Sequence, residues 1–181
     1  MSAIDQILDL LEGADSRQYG SECVSQQAHA LQAAARAESE GVPDTLIAAA
    51  LLHDLGHLLA KRANGEAGLG RDDRHEHIAS GWLRDVFPAA VVEPIRLHVA
   101  AKRYLCATDR SYFSLLSPGS VRSLELQGGF MSDDEVKAFR ALRFYDEAVR
   151  VRRWDEQAKL PDAPVRAVTD YAPLLRTLAL V

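Results

Sequence analysis

Apolar residues recur at intervals of three and four along nearly the whole chain, and strict alternation is almost absent. That period lays one apolar stripe along a helix, and it predicts helices at roughly 3–12, 22–40, 44–59, 74–86, 93–107, 118–126, 133–159 and 165–180. The expected fold is therefore all-α. Several boundaries carry a physical signal: Pro43 and Pro94 suit first helical turns, Ser117 before Pro118 reads as an N-cap followed by proline, and Ser132 with Glu135 forms a capping box. One stretch breaks the pattern. Residues 62–73, RANGEAGLGRDD, are glycine-rich and without period, and they separate two histidine-bearing helices, which suits a flexible loop beside a site and equally a merely long connector. No repeat or boundary interrupts the rest, so residues 1–181 read as a single domain.

Within that pattern the segment ALLHDLGHLLAK, residues 50–61, stands out. Leucines and alanines surround His53, Asp54 and His57, which share one broad face of a helix. Such surroundings predict burial, and an isolated buried carboxylate is too costly to persist without a partner or a metal. An adjacent His-Asp pair can approach one metal, and the second carboxylate oxygen can bridge to another. A hydrogen-bonded core histidine beside a helix-end aspartate is the plainer reading of that pair alone.

The other histidines shift the balance. His29 lies in QQAHALQAAA, His75 and His77 in RHEHIASGWL, and His98 in EPIRLHVAAKRYL, each on a predicted helix with apolar neighbours. A helical bundle that projects one or two such groups inward from each facing helix is a common way to build a metal centre. Imidazole and carboxylate ligands without thiolate suit iron, manganese, cobalt or zinc better than copper(I). Asp155, in RRWDEQAK, shares a helical face with Arg152, although such a pair taken alone reads as a surface ion pair.

Composition narrows the field further. The chain has 181 residues with 48% hydrophobic and 26% charged, values of an ordinary soluble globular protein. A formal net charge of -5 argues against a partner held through nucleic-acid phosphates. The apolar runs are too short to span a membrane and the N-terminal residues are acidic, so a cytoplasmic location without a membrane partner is expected. Cys23 and Cys106 have neither metal-type spacing nor the density of a disulfide scaffold, and read as reduced and inert.

The order His29, His53-Asp54, His75, His98, Asp155 resembles the HD-domain superfamily, and the six-ligand set is similar to its diiron branch. Within it the chain looks most like the PhnZ-type phosphonate oxygenases, on YGSECVSQQAHALQAA, ALLHDLGH, RHEHIASGWL, HVAAKRYL, LSPGSVRSLELQGG and RRWDEQAKLP. The resemblance implies a single HD-domain helical bundle around a dinuclear site, holding two iron ions in a mixed-valent Fe(II)/Fe(III) pair. It implies that Asp54 bridges, that His29, His53 and Asp155 serve one iron, and that His75 and His98 serve the other. It makes Tyr19, on a mobile N-terminal loop at about 13–22, a gate over the open iron site. His57, Lys102, Ser120, Gln127 and Arg152 match phosphonate-binding positions, and cations with neutral donors suit a dianionic head group. Glu22 matches the carboxylate that receives a substrate ammonium.

The implied reaction is O2-dependent cleavage of the carbon–phosphorus bond of a (R)-1-hydroxy-2-ammonioethylphosphonate. A primary amine would give glycine and a trimethylammonium would give glycine betaine, with phosphate released in both cases. Tyr19, Asp72 and Asp73 could favour the trimethylammonium form through an aromatic face and diffuse negative charge. His77 departs from the pattern and stays an alternative to His75, since the two differ by roughly 200° around a helix. Competing readings are a metal-dependent phosphohydrolase, in which a metal-bound hydroxide attacks a phosphoester, and a binding module without metal. An inositol-oxygenase-like role keeps diiron and O2 but leaves the phosphonate shell unexplained. Oligomeric state is not legible.

Overall fold

The computed structural model describes residues 2–14, 22–64 and 74–180, and among these it contains helices and turns without a strand. In chain order the helices are α1 (Ala3–Glu12), α2 (Gln26–Ser39), α3 (Asp44–Leu52), α4 (Leu55–Asn64), α5 (His75–Leu83), α6 (Ala89–Thr108), α7 (Arg110–Ser114), α8 (Pro118–Leu126), α9 (Asp133–Arg140) and α10 (Tyr145–Gln157). A 3₁₀ turn at Val168–Tyr171 then leads into α11 (Ala172–Leu178). The all-α expectation holds. No helix of the described residues is long and apolar enough to cross a membrane.

The long helix α6 is the spine. It packs against α10, α5 and α3, while α2 packs on α3 and α10, and α4 on α5. The largest apolar cluster joins α1 through α6 with Val151 and Trp154 of α10 and Leu175 of α11. A smaller one gathers Leu97, Tyr104 and Leu105 of α6 with Tyr112, Leu124, Phe139 and Ala148. Polar side chains are buried between these two clusters. They come from α2, α5, α6, α8, α10 and the α3–α4 junction.

Five features depart from the sequence reading. The helix expected over 44–59 is two helices, because the chain turns at His53 and Asp54; the apolar pattern continues across the turn and so conceals it. The helix expected over 133–159 breaks at residues 141–144, where neither glycine nor proline marks the turn. Pro94 lies inside α6 rather than in its first turn, since Pro88 caps the helix and α6 starts at Ala89, four residues earlier than expected. Pro43 likewise sits at the N-cap of α3, one position before the first turn. Residues 62–64 belong to α4, so the glycine-rich loop starts later than read; its remaining residues, Asp72 and Asp73 included, lie outside the described residues, as do Tyr19 and residues 15–21 of the gate segment.

Caps read from sequence are in place at Ser117 and at the Ser132–Glu135 box. A cap that was missed matters more for the site. The Asp109 carboxylate accepts from the Ser111 and Tyr112 amides at 3.0 and 3.1 Å, starting α7 and burying Tyr112. The Ser111 hydroxyl and the Arg153 guanidinium then hold Asp109 down to about pKa 2. A carboxylate depressed below its unfolded value, about 3.9, stabilises the fold above that value and loses its effect as pH falls through the folded pKa. Asp109→Ala is accordingly expected to cost about 1 kcal/mol in urea unfolding near pH 7, a difference that should shrink between about pH 4 and pH 2.

Candidate active site

Three of the central histidines are fixed from behind by backbone carbonyls. His29 Nδ1 donates to Ala158 at 2.9 Å, His53 Nδ1 to Ala50 at 2.8 Å and His98 Nδ1 to Ile95 at 2.7 Å. A carbonyl only accepts, so the proton sits on Nδ1 and each Nε2 presents a lone pair to the interior. Those lone pairs converge. His29 and His53 bring their Nε2 atoms to 3.2 Å, and His75 and His98 bring theirs to 3.1 Å. Two such lone pairs repel unless a cation or a proton lies between them.

Asp54 stands between the two imidazole pairs and gives one oxygen to each. Oδ1 is 3.2 Å from His75 Nε2 and 3.6 Å from His98 Nε2, while Oδ2 is 3.5 Å from His53 Nε2 and 3.7 Å from His29 Nε2. Asp155 reaches the second group, with Oδ1 at 3.3 Å from His29 Nε2 and 3.9 Å from His53 Nε2. Asp54 Oδ2 and Asp155 Oδ1 are buried and accept no hydrogen bond among the described residues. His29, His53 and Asp54 form one set of ligand atoms mutually within 4.8 Å, and Asp54, His75 and His98 form another. Orphaned carboxylate oxygens among converging neutral imidazoles are what a pair of hard or borderline cations requires, so these residues fit a dinuclear metal group.

Electrostatics agree with the geometry. Burial drives the His53 imidazole down to about 4, with Asp54 and Asp155 offsetting part of that effect, so His53 is neutral near pH 7 as a ligand must be. Burial opposes the charge of Asp54, but His53, His75 and His98 outweigh it and hold the carboxyl well below its usual range. Asp155 is also held low against burial, by Arg152 first and then by His29. His29 is pushed down by burial and more than restored by Asp155, for a net rise.

Just after the turn at His53 and Asp54, Gly56 lets α4 and α5 approach closely. A Cβ built there would lie 1.9 Å from the His75 carbonyl oxygen and 2.9 Å from its Cα, so the start of α5 touches the backbone of α4. Arg74, in the left-handed region at φ 48°, turns the chain so that α5 begins at His75 itself. His75 is buried with its Nε2 on Asp54, whereas the His77 side chain is 56% exposed and faces away. His57, half-buried on the first turn of α4, stacks on the His75 ring with centroids 3.9 Å apart.

Beyond Asp155 lies a polar shell. Arg152, buried, bonds Tyr112 Oη at 2.6 Å, Glu156 Oε2 at 2.6 Å, Ser120 Oγ at 3.3 Å and the Asp155 carboxylate. It is thus a buried ion pair, and the surface reading of the Arg152–Asp155 face does not hold. Lys102 donates to Ser123 Oγ at 2.8 Å, its only hydrogen-bond partner among the described residues. Burial, and then the Arg152 charge, push this ammonium down to about 7. Ser120 is buried, and Gln127 Oε1 is buried without a hydrogen-bond donor among the described residues. Glu22 accepts from Ser117 Oγ at 2.5 Å.

Several members of this shell were missed from sequence, namely Tyr112, Ser117, Ser123, Glu156 and Lys159. The last two had a legible signal, since Arg152–Glu156 and Glu156–Lys159 fall at helical spacings of four and three. Gln32 had none. It pairs with both the amide and the carbonyl of Leu160, pinning the chain after α10 to α2, where Ala158 holds His29.

A helical bundle that buries four inward imidazoles around a two-faced carboxylate, with a cationic shell beside them, is a metal-binding enzyme in class. No profile of a known protein family matches the chain. It is 44% identical over 151 residues to the hydroxymethylphosphonate dioxygenase of Gimesia maris, spanning 83% of this chain and 75% of that one. It is 35% identical over 175 residues to the [1-hydroxy-2-(trimethylamino)ethyl]phosphonate dioxygenase (glycine-betaine-forming) of Leisingera caerulea, spanning 97% and 89%. The chain belongs to this family of phosphonate dioxygenases, and it is an oxygenase.

Gly56→Ala is expected to displace His75 and weaken metal binding by at least ~10-fold, read by anaerobic titration with Fe(II) or Co(II). Unfolding should show a loss of about 1–3 kcal/mol, the usual cost of overpacking. Lys102 yields a pH test with inorganic phosphate as the probe. Deprotonation above about 7 removes the cation, so phosphate affinity should fall as pH rises, and Lys102→Met should bind weakly at pH 6 yet converge with the wild type by pH 9.

Proposed function

We propose that the chain cleaves the carbon–phosphorus bond of a small 1-hydroxyphosphonate with O2, releasing phosphate, at two iron ions in a mixed-valent Fe(II)/Fe(III) pair. The observation that carries this reading is the division of Asp54, whose two oxygens face separate imidazole sets. Both relatives support the substrate class, since the substrate each is named for has a hydroxyl on the carbon bonded to phosphorus. His29, His53 and Asp155 would hold one iron and His75 and His98 the other, with Asp54 shared. When bound, the irons supply the one-electron chemistry with O2 that the side chains cannot. Substrates consistent with the resemblance include the 2-ammonio and 2-trimethylammonio forms of (R)-1-hydroxyethylphosphonate, which would yield glycine and glycine betaine.

The chain's own residues bind and orient. Lys102, whose one hydrogen-bond partner among the described residues is a neutral hydroxyl, is the cation best able to donate to a phosphonate oxygen. Arg152 is already bonded to Asp155, Glu156, Tyr112 and Ser120, so its first task is to hold Asp155 against His29 while lending its charge to the same anion. Gln127 adds a neutral amide donor, and its buried amide oxygen awaits a donor such as a substrate hydroxyl, while the Ser120 hydroxyl, its proton given to Glu156, holds Arg152 and Lys159 in place. His57, stacked on His75, stiffens that ligand from its flat side. Alanine and leucine side chains around the cluster exclude water from it.

Protein loaded anaerobically with Fe(II) and then given O2 and a 1-hydroxyphosphonate should release phosphate and consume O2 in proportion, with about two irons per chain. Asp54→Asn should abolish turnover, and Lys102→Met should lower kcat/KM by about 10²-fold or more, the scale of losing a charged, hydrogen-bonded anchor. Phosphate release that persists without O2 would overturn the oxygenase reading in favour of a phosphohydrolase.

A further inference from the structure

Outside the six-residue cluster, the polar shell contains, among the described residues, three cations, Lys102, Arg152 and Lys159, and two carboxylates, Glu22 and Glu156. The carboxylates are already matched. Glu156 Oε1 accepts from Lys159 Nζ at 3.0 Å and from the Ser117 amide at 2.9 Å, and its Oε2 accepts from Arg152 at 2.6 Å and from Ser120 at 2.8 Å. Glu22 Oε1 lies 3.4 Å from the same Lys159 Nζ and takes the Ser117 hydroxyl proton. Lys159, whose side chain is only 11% exposed, also donates to Ser117 Oγ at 3.1 Å and Ser120 Oγ at 2.9 Å. Four protein groups therefore fix its ammonium in one place.

This arrangement bears on what the second carbon of a substrate can carry. A ligand ammonium that approaches Glu22 meets a resident ammonium already paired with that carboxylate. Like charges in a poorly hydrated site repel strongly, and displacing Lys159 would also strip Glu156 and two serines of their bonds. The positive charge left in excess is Lys102, bonded among the described residues only to Ser123. Such a balance favours an anion that brings no cation of its own.

Resting on the phosphonate reading above, we propose that Lys159 is a specificity-determining residue, which neutralises Glu22 and so directs the site to hydroxyphosphonates without an ammonium group. Lys159 acts through Glu22 and the serines rather than on the reacting atoms.

The test uses iron-loaded protein and three substrates: hydroxymethylphosphonate, (R)-1-hydroxy-2-aminoethylphosphonate and its trimethylammonium analogue. The wild type should show kcat/KM for hydroxymethylphosphonate at least ~10-fold above either ammonium substrate, a discrimination within reach of one unmatched charge. Lys159→Met should shift that ratio by ~10-fold or more toward the ammonium substrates, and Lys159→Arg should retain the wild-type ranking. A second readout needs no turnover. Under anaerobic calorimetry, ethylphosphonate should bind the wild type more tightly than 2-aminoethylphosphonate, and the order should close or reverse in Lys159→Met. A wild type that prefers either ammonium substrate overturns the proposal whether or not the variants fold, and leaves the phosphonate reading standing; so does an unchanged ratio in a folded Lys159→Met. If none of the three substrates releases phosphate and neither phosphonate binds, the broader reading fails and the proposal falls with it.

Discussion

Four imidazoles, three of them with a lone pair turned inward, and two negatively charged carboxylates are held together in one buried space. With Nδ1 of His29, His53 and His98 committed to backbone carbonyls, the inward nitrogens of His29 and His53 cannot bond to each other, and Asp54 Oδ2 and Asp155 Oδ1 have no donor among the described residues. Cations, metal ions or protons, relieve that concentration of electron density. The fold and the metal are therefore energetically linked, because whatever binds the assembled cluster and not the unfolded chain stabilises the assembled cluster. The outer bonds of the histidines tie each ring to the turn of helix behind it or, for His29, to the chain leaving α10.

Helix α10 connects this centre to the shell around it. Over two turns it presents Arg152, Asp155, Glu156 and then, just past its end, Lys159. Asp155 faces the imidazoles while Arg152 and Glu156 face α7 and α8, so one backbone sets the distance between cluster and shell. Tyr112 and Ser120 complete the brace by holding Arg152 from α7 and α8. The cap at Asp109 belongs to the same mechanical chain, since it places Tyr112.

Much of this was legible along the sequence. Helical period predicted an all-α fold, and six histidines on apolar faces with His53-Asp54 and Asp155 pointed to a buried metal centre. What was misread has a common cause. The breaks at 53–54 and 141–144 carry no proline or glycine, so local pattern ran straight through them, and Gly56, the trace of the first break, acts through a contact with His75 rather than through its own torsions. Arg152 and Asp155, taken alone, looked like a surface pair because spacing cannot report burial; only the histidines around them brought them into the site.

The sequence by itself determined which residues are helical, which histidines have apolar neighbours and which charges can share a helix face, because these depend on separations of three or four residues. Tertiary structure alone decided that His75 rather than His77 turns inward, that each oxygen of Asp54 faces a different imidazole pair, and that Lys159 meets Glu22 across 137 positions of chain. Those relations depend on where helices far apart in the chain are packed, and the packing is set by the whole apolar surface rather than by any local segment of it.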